Sequence, residues 1–321
     1  MITFGPVPSR RLGRSLGINN IPHKHCSYSC VYCQVGLTDK LRIKRQGYYQ
    51  PEEIYRAVNE IVEKSAARGK PIEYLSFVPE GEPTLDINLG KTITLLKSLG
   101  IGIAVFSNAS LIWQKSVRND LMKADWVSLK VDAVDDIIWN KLNRAHKGLD
   151  FSSILDGIRE FASGFQNTLA SETMLIHGLN DSKIHINKIA NFLQKINPAI
   201  AYLAVPTRPP AEKWVKPSNK NIITFAQKAF SDKLMTVECL TGFEGTEYSY
   251  TDNAEESLLS ILAVQPMRMD AVADYLDNAN VHWSIVHKLI AEGKILEMEY
   301  EKEKYYVKKI PGRCISGKNK K

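Results

Sequence analysis

Three of the chain's five cysteines, Cys26, Cys30 and Cys33, crowd into the stretch H-K-H-C-S-Y-S-C-V-Y-C-Q-V-G, residues 23–36. Their spacing is C-x3-C-x2-C. An odd trio of thiols on one loop does not build a paired disulfide framework; it suits metal binding or redox chemistry in a reducing compartment. A tetrahedral zinc site needs a fourth ligand, which His23 or His25 would supply. A four-iron cluster normally takes four thiolates, so three would leave one iron open to an outside ligand. Cys239 and Cys314 stand alone and signal no second cluster. Further polar groups recur along the chain: Glu80-Gly81-Glu82-Pro83-Thr84, Ser107-Asn108, Lys130-Val131-Asp132, His177-Gly178-Leu179-Asn180-Asp181 and Pro206-Thr207-Arg208-Pro209-Pro210. Arg208 keeps its charge and suits a substrate carboxylate or phosphate, or it braces its own loop. His177 suits proton transfer, although a lone loop histidine is more often structural.

Each of these groups follows a short apolar run. Strands are expected at 15–21, 72–78, 101–106, 126–131, 168–176, 199–205 and 235–240. Helical periodicity falls between them, at 52–67, 89–99, 112–123, 151–162, 184–196 and 221–230. Repeated strand–helix alternation argues for parallel strands joined by right-handed crossovers. Both a doubly wound open sheet and a full or partial barrel fit that periodicity. The polar groups sit where strands end, and in a parallel barrel those ends converge on one face, where the site is built.

Composition sets the remaining bounds. A chain of 321 residues with 44% hydrophobic and 24% charged residues is ordinary for a soluble enzyme with one large α/β unit and a smaller one. No apolar run is long enough to span a membrane, and the N-terminus has no secretion signal, so the expected compartment is the cytoplasm. The net charge of +7 is unevenly placed. Residues 1–50 carry Arg10, Arg11, Arg14, Lys24, Lys40, Arg42, Lys44 and Arg45 against Asp39 alone. Such a basic face either holds an anionic partner such as RNA or is simply solvated and paired within the chain.

The cysteine spacing, with aromatic Tyr32 just before the last cysteine and the loop placed after the first strand, resembles the radical S-adenosylmethionine (SAM) superfamily. The resemblance covers roughly residues 1–240. It implies a partial (β/α)6 barrel of the TIM type at 1–241, with Cys26, Cys30 and Cys33 holding a [4Fe–4S] cluster whose open iron chelates SAM. It also implies a flavodoxin- or ferredoxin-like electron donor, reductive cleavage of SAM and hydrogen abstraction from a substrate C–H bond. Gly81 and Glu82 match the superfamily's G-G-E turn, which holds the SAM amino group; Glu80 departs from it and is a candidate on the substrate side. Tyr32 matches the position facing the adenine, and Val205 the apolar residue that packs on it. Ser107, Asn108, Ser128, Lys130 and Asp132 fall where the superfamily contacts the ribose and carboxylate of SAM. The segment G-P-V-P-S-R-R-L-G-R-S-L-G-I-N, residues 5–19, is similar to the signature of a wyosine-synthase-like, iron–sulfur oxidoreductase group. Kinship with tRNA-modifying members at the level of fold raises the case for a tRNA substrate.

Residues 242–253 read as a linker and 312–321 as a basic tail. Between them, helices at 255–264, 270–276 and 281–292 and a hairpin at 295–300 and 305–309 describe a winged helix over 254–311. That unit holds ten acidic residues against seven basic ones, and Lys288 is the one lysine or arginine of the segment 281–292, beside His282 and His287. DNA readers rest on several cations against phosphates, so DNA is not the expected partner. Three functions compete: a radical modifier of RNA, a radical modifier of a protein or peptide docked on the acidic unit, and an iron–sulfur regulator. The strand-end polar residues count against the regulator, which has no use for them.

Overall fold

The computed structural model describes residues 2–242, 248 and 253–309. Eight strands form one open sheet in sequential order: β1 (Thr3–Ser9), β2 (Gly13–Ile18), β3 (Tyr74–Phe77), β4 (Gly102–Ser107), β5 (Trp126–Lys130), β6 (Thr168–Met174), β7 (Ile200–Ala204) and β8 (Val237–Leu240). Strands β2 to β8 are parallel, and β1 lies antiparallel on β2. Helices α1 (Pro51–Ala67), α2 (Leu89–Leu96), α3 (Lys115–Leu121), α4 (Asp136–Asn143), α5 (Phe151–Gly164), α6 (Lys183–Ile196) and α7 (Lys220–Ser231) fill the crossovers. The result is a curled half-barrel, the partial-barrel alternative of the two that periodicity allowed.

Alternation along the strands sorts their side chains. Leu16, Ile18, Leu75, Phe77, Ile103, Val105, Val127 and Leu129 point outward into one large cluster with the helices, where Ile54 and Val58 of α1 and Ile93 of α2 are fully buried. Ala104, Trp126, Ala170, Tyr202 and Leu240 form a second cluster on the inner face, closed by Leu12 from the β1–β2 turn. Several helices start on side-chain caps: Asp135 accepts from Ile138 N, Asp150 from Ser153 N, Ser182 from His185 N and Asn219 from Ile222 N. Asp135 and Ser182 follow the ends of β5 and β6 by short loops at the mouth of the half-barrel, whereas Asp150 follows α4 and Asn219 follows the longer loop after β7.

Two elements escape the periodicity. Strand β1 reads T-F-G-P-V-P-S, and two prolines and a glycine argue against a central strand; it survives because it is an edge, where missing donors face away from the sheet. Helix α4 is the other, and α3 is shorter than the expected 112–123 because residues 109–114 form turns. After residue 253 come α8 (Ala254–Val264), β9 (Met267–Arg268), α9 (Met269–Ala279), α10 (Ser284–Ala291), β10 (Ile295–Tyr300) and β11 (Glu303–Lys308), with sheet order β10-β11-β9. Their core of Leu258, Ile261, Leu262, Val272, Tyr275 and Val286 also contains Phe4 and Val7 of β1. The C-terminal helices therefore share their core with the edge of the barrel sheet. The expected linker falls mostly outside the described residues, and Cys314 and the basic tail fall wholly outside them. Among the described residues, no helix is long and apolar enough to cross a membrane.

Candidate active site

The segment after β2 carries the three cysteines and is strapped by backbone hydrogen bonds from several sides. Lys24 N donates to Glu80 O (3.0 Å) and Glu82 N donates to His25 O (2.9 Å), clamping the loop onto the turn after β3. Gly81 lies inside this clamp: a Cβ there would stand 2.0 Å from His25 O, so only glycine permits the approach. Arg42 N donates to Cys26 O (2.8 Å) and His146 N to Ser27 O (3.0 Å). Ser29 N and Val31 N donate to Asn143 O and Leu142 O, both at 2.9 Å, and Glu212 N donates to Val31 O (3.0 Å). The loop is thus positioned by the turn after β3, its own returning segment at Arg42, the end of α4 and the loop after β7.

Each thiol meets a different nitrogen donor. Asn108 Nδ2 lies 3.5 Å from Cys26 Sγ, Asn143 Nδ2 3.3 Å from Cys30 Sγ, and Lys24 Nζ 3.7 Å from Cys33 Sγ. Lys24 reaches Cys33 from a left-handed backbone position (φ 54°) and also donates to Gly36 O at 2.6 Å. Burial pushes the Cys26 thiol up to about 12 and the Cys30 thiol up to about 11, with a neighbouring cysteine as the next cause in each case. A metal bound there must therefore displace protons held more tightly than usual.

Glu82 is almost fully buried and caps the short turn Pro83–Leu85. Its Oε1 accepts from Thr84 N (3.1 Å), Thr84 Oγ1 (2.6 Å) and Ser107 Oγ (2.8 Å), and its Oε2 accepts from Asn108 N (2.7 Å). Burial pushes its carboxyl up, and the donors from Thr84, Asn108 and Ser107 act against that. Four donors from the chain nearly fill the acceptor capacity of a carboxylate. Glu82 thus locks the ends of β3 and β4 together and sets Asn108 against Cys26. Glu80, on the other side of Gly81, pairs with His23 Nδ1. His25 places its ring edge-on to Tyr48, 5.2 Å between centroids.

On the other flank, the Tyr32 hydroxyl donates to buried Asp132 Oδ2, and Asn143 Nδ2 reaches both Asp132 Oδ2 (3.2 Å) and the Tyr32 oxygen (3.3 Å). Asp132 Oδ1 accepts from Met174 N at 2.8 Å. Lys130 Nζ lies 4.8 Å from the Tyr32 ring centroid and 2.7 Å from Glu172. Glu172 also pairs with Arg11, which rises from the β1–β2 turn between the rings of Phe106 and Tyr202, each 5.2 Å away. Burial raises the Glu172 carboxyl, but Arg11 and Lys130 outweigh it and bring it down to about 2. A charged column therefore runs up the inner face: Arg11, Glu172, Lys130, Tyr32, then Asp132 and Asn143 at Cys30. Ser128 lies buried on the same strand, one alternation below Lys130.

The remaining candidates stand apart. Val205 is buried within the helix-side core. His177 is 59% exposed and faces Asp181 at 3.4 Å. Arg208 donates to Gln34 Oε1 (3.3 Å), and its loop is held by Tyr300 and Tyr305, whose hydroxyls donate to Pro206 O (3.0 Å) and Thr207 O (2.9 Å). The sequence reading missed Asn143, Arg11, Glu172 and Lys24. A glutamate inside the expected strand T-L-A-S-E-T-M was the legible sign of one of them, since a buried strand carries a carboxylate only with a partner.

The basic segment 1–50 divides in two. Arg11 is taken by Glu172. Arg45 is taken by Asp120 (2.5 Å) and by the carbonyls of Thr84 and Asp86, both at 2.8 Å. Lys40, Arg42 and Lys44 are exposed and alternate with half-buried Leu41, Ile43 and Arg45. Ile43 between them packs by the 145–149 loop: a Cβ on Gly148 would lie 3.0 Å from it. That loop carries exposed Lys147, and it begins at Arg144, which pairs with Glu212 at 2.5 Å. Beyond Glu212 stand exposed Lys213 and Lys216. Cations therefore follow one another along the segments that strap the cysteine loop.

The donor set fits an iron–sulfur cluster, whose thiolates each take a different iron: the three thiols share one strapped loop, and each meets its own nitrogen donor. His23 is held by Glu80, and His25 packs on Tyr48. Residues 20–189 match the family described as the radical SAM superfamily. UPF0026 protein MJ1312 of Methanocaldococcus jannaschii is 44% identical over 314 residues, 97% of each chain. In three dimensions the chain is similar to TYW1 with a lysine–pyruvate adduct bound, at TM-score 0.54 and 17% identity, over 70% of this chain and 76% of that one. It is also similar to a radical SAM methyltransferase from Sphaerobacter thermophilus, at TM-score 0.53 and 13% identity, over 71% and 66%. With a family match over more than half its length and a 44% identical relative from end to end, the chain belongs to the radical SAM superfamily, whose members are S-adenosylmethionine-dependent iron–sulfur enzymes.

Proposed function

We propose that this enzyme modifies RNA, with tRNA as the first class of substrate to test, and that Cys26, Cys30 and Cys33 hold its [4Fe–4S] cluster. The cluster with SAM supplies a radical able to break an unreactive C–H bond, chemistry that belongs to the cofactor. The chain's own residues do the positioning. Asn108, Asn143 and Lys24 direct N–H groups at the three sulfurs, Glu82 fixes Asn108, and the Tyr32–Asp132–Asn143 group fixes the loop at Cys30. In this reading the SAM amino group is met at the Gly81 turn, where Glu82 acts by holding the turn and its backbone. Lys130 and Asp132 stand at the mouth for the polar parts of SAM.

The observation that carries the RNA reading is the run of exposed cations, Lys40, Arg42, Lys44, Lys147, Lys213 and Lys216, along the segments that strap the cysteine loop. A polyanion held there lies over the site, and attraction of this kind is the usual electrostatic footprint of nucleic-acid binding. The C-terminal elements, in the order helix, strand, helix, helix, strand, strand, are a winged helix in this reading. Its hydroxyl contacts to the 206–207 carbonyls make it a brace for the mouth, and its excess of acid argues against a second polyanion surface.

The test is 5′-deoxyadenosine release by the reconstituted enzyme with dithionite and SAM. Unfractionated tRNA should accelerate release, and replacing Arg42, Lys44 and Lys147 with Glu together should remove the acceleration while leaving the slow release without substrate. Acceleration by a peptide pool and none by RNA would replace this reading with a peptide substrate.

A further inference from the structure

We propose that Trp214 is a stacking platform for an unpaired nucleotide of the RNA substrate, presented at the mouth beside the cysteine loop; this rests on the reading that the substrate is RNA. Trp214 is 51% exposed. Among the described residues its indole has no hydrogen-bond, ring or charge partner. A single exposed apolar residue needs no explanation in general. What sets this one apart is how rigidly it is presented.

Trp214 and Lys213 are the two central residues of a hydrogen-bonded turn, closed by Val215 N donating to Glu212 O at 3.1 Å. Both ends of that turn are fastened to the site. Glu212 N donates to Val31 O, between Cys30 and Cys33, and the Glu212 carboxylate pairs with Arg144, the residue after Asn143. Val215 is buried in a cluster with Val31, Tyr32, Leu142 and Ile176. One residue further on, Lys216 O accepts from His177 N at 3.0 Å, and Ser218 Oγ donates to Asp181 Oδ2 at 3.0 Å. The indole therefore projects from a fixed support, one residue from a side chain packed with Tyr32.

A flat π face on a rigid turn, with an exposed lysine before it and another two residues after it, matches a base and its flanking phosphates. Single-stranded nucleic acids are held in this way, by aromatic faces under the bases and cations along the backbone. The same lysines repel a basic peptide, and an acidic peptide would gain nothing from an indole face. The turn that carries the indole is already fastened at both ends, so little backbone freedom is lost when a base lands on it.

The test measures affinity of the full-length, cluster-loaded enzyme for unfractionated tRNA and for a blunt RNA duplex without unpaired bases. Trp214→Ala should weaken tRNA binding roughly tenfold or more, the loss expected for one base–aromatic stack, and leave duplex binding and its salt dependence unchanged. Trp214→Phe should retain most of the tRNA affinity, which a general disturbance of the loop would not allow. Equal tRNA affinity in the wild type and Trp214→Ala overturns the platform and leaves the RNA reading standing. A wild type that binds neither RNA at low salt overturns both.

Discussion

Lys24 places an ammonium 3.7 Å from Cys33 Sγ while its backbone is tied to the turn after β3. Hydrogen bonds and positive charge at the sulfurs favour the reduced, more negative state of an iron–sulfur cluster. Lys24→Met should therefore lower the midpoint potential. The loss of a hydrogen bond of about 1 kcal/mol corresponds to roughly 40 mV for one electron. Redox titration followed by EPR checks this, with iron content equal to the wild type; an unchanged potential would remove Lys24 from the role. Glu172 tests the charged column. Its carboxyl is held at about 2, below its ordinary value of about 4.3. Its contribution to stability is fully present above that ordinary value and is lost as the pH falls from there through about 2. Arg11→Ala leaves a buried carboxylate with one of its two cations, a change that costs about 3–5 kcal/mol when a buried pair is broken. Adding Glu172→Gln to Arg11→Ala should restore part of the loss in denaturant unfolding of the apoprotein. If the double variant is no more stable than Arg11→Ala, the two residues are not energetically coupled.

At the level of elements, the clamp between the cysteine loop and the turn after β3 decides where Cys26 stands. Gly81→Ala drives a methyl into His25 O, and neither backbone can yield without breaking the Lys24–Glu80 or His25–Glu82 bond. Overpacking of this kind costs about 1–3 kcal/mol. The expected outcome is a reconstituted protein with native far-UV circular dichroism and reduced iron content; full iron loading would show that the clamp does not position the loop. The same elements show what a reader of the sequence can and cannot see. Parallel strands β2 to β8 were legible because buried β-branched runs alternate with amphipathic helices. The polar groups at their ends were legible because crossovers begin there. Strand β1 was not, since Pro6 and Pro8 disguise an edge strand, and neither was α4, whose polar stretch D-I-I-W-N-K-L-N buries chiefly Trp139 and Leu142. Missing α4 hid Asn143, because nothing local says that an asparagine at a helix end faces a cysteine more than 100 positions earlier. Partner choice was hidden in the same way. Arg11, Arg42 and Arg45 look alike in sequence, but Arg11 and Arg45 are bound within the chain, and only the fold distinguishes them.

For the whole molecule, the C-terminal helices complete the barrel edge. Phe4 and Val7 of β1 are buried in their core, and Tyr300 and Tyr305 hold the loop after β7. Ending the chain at residue 253 would uncover this apolar surface and release the mouth. Such a truncation should lower the thermal midpoint and reduce SAM binding, measured by differential scanning fluorimetry and equilibrium dialysis; a fully stable, SAM-binding truncation would make the C-terminal unit an independent appendage. The central claim is that three thiolates on one strapped loop hold a cluster with an iron left open for SAM. EPR of the reconstituted, dithionite-reduced enzyme with and without SAM tests it directly. The account predicts a reduced [4Fe–4S] signal whose g values shift when SAM is added, and which is absent after Cys30→Ala. A signal indifferent to SAM, or one that persists when all three cysteines are replaced by alanine, would contradict it.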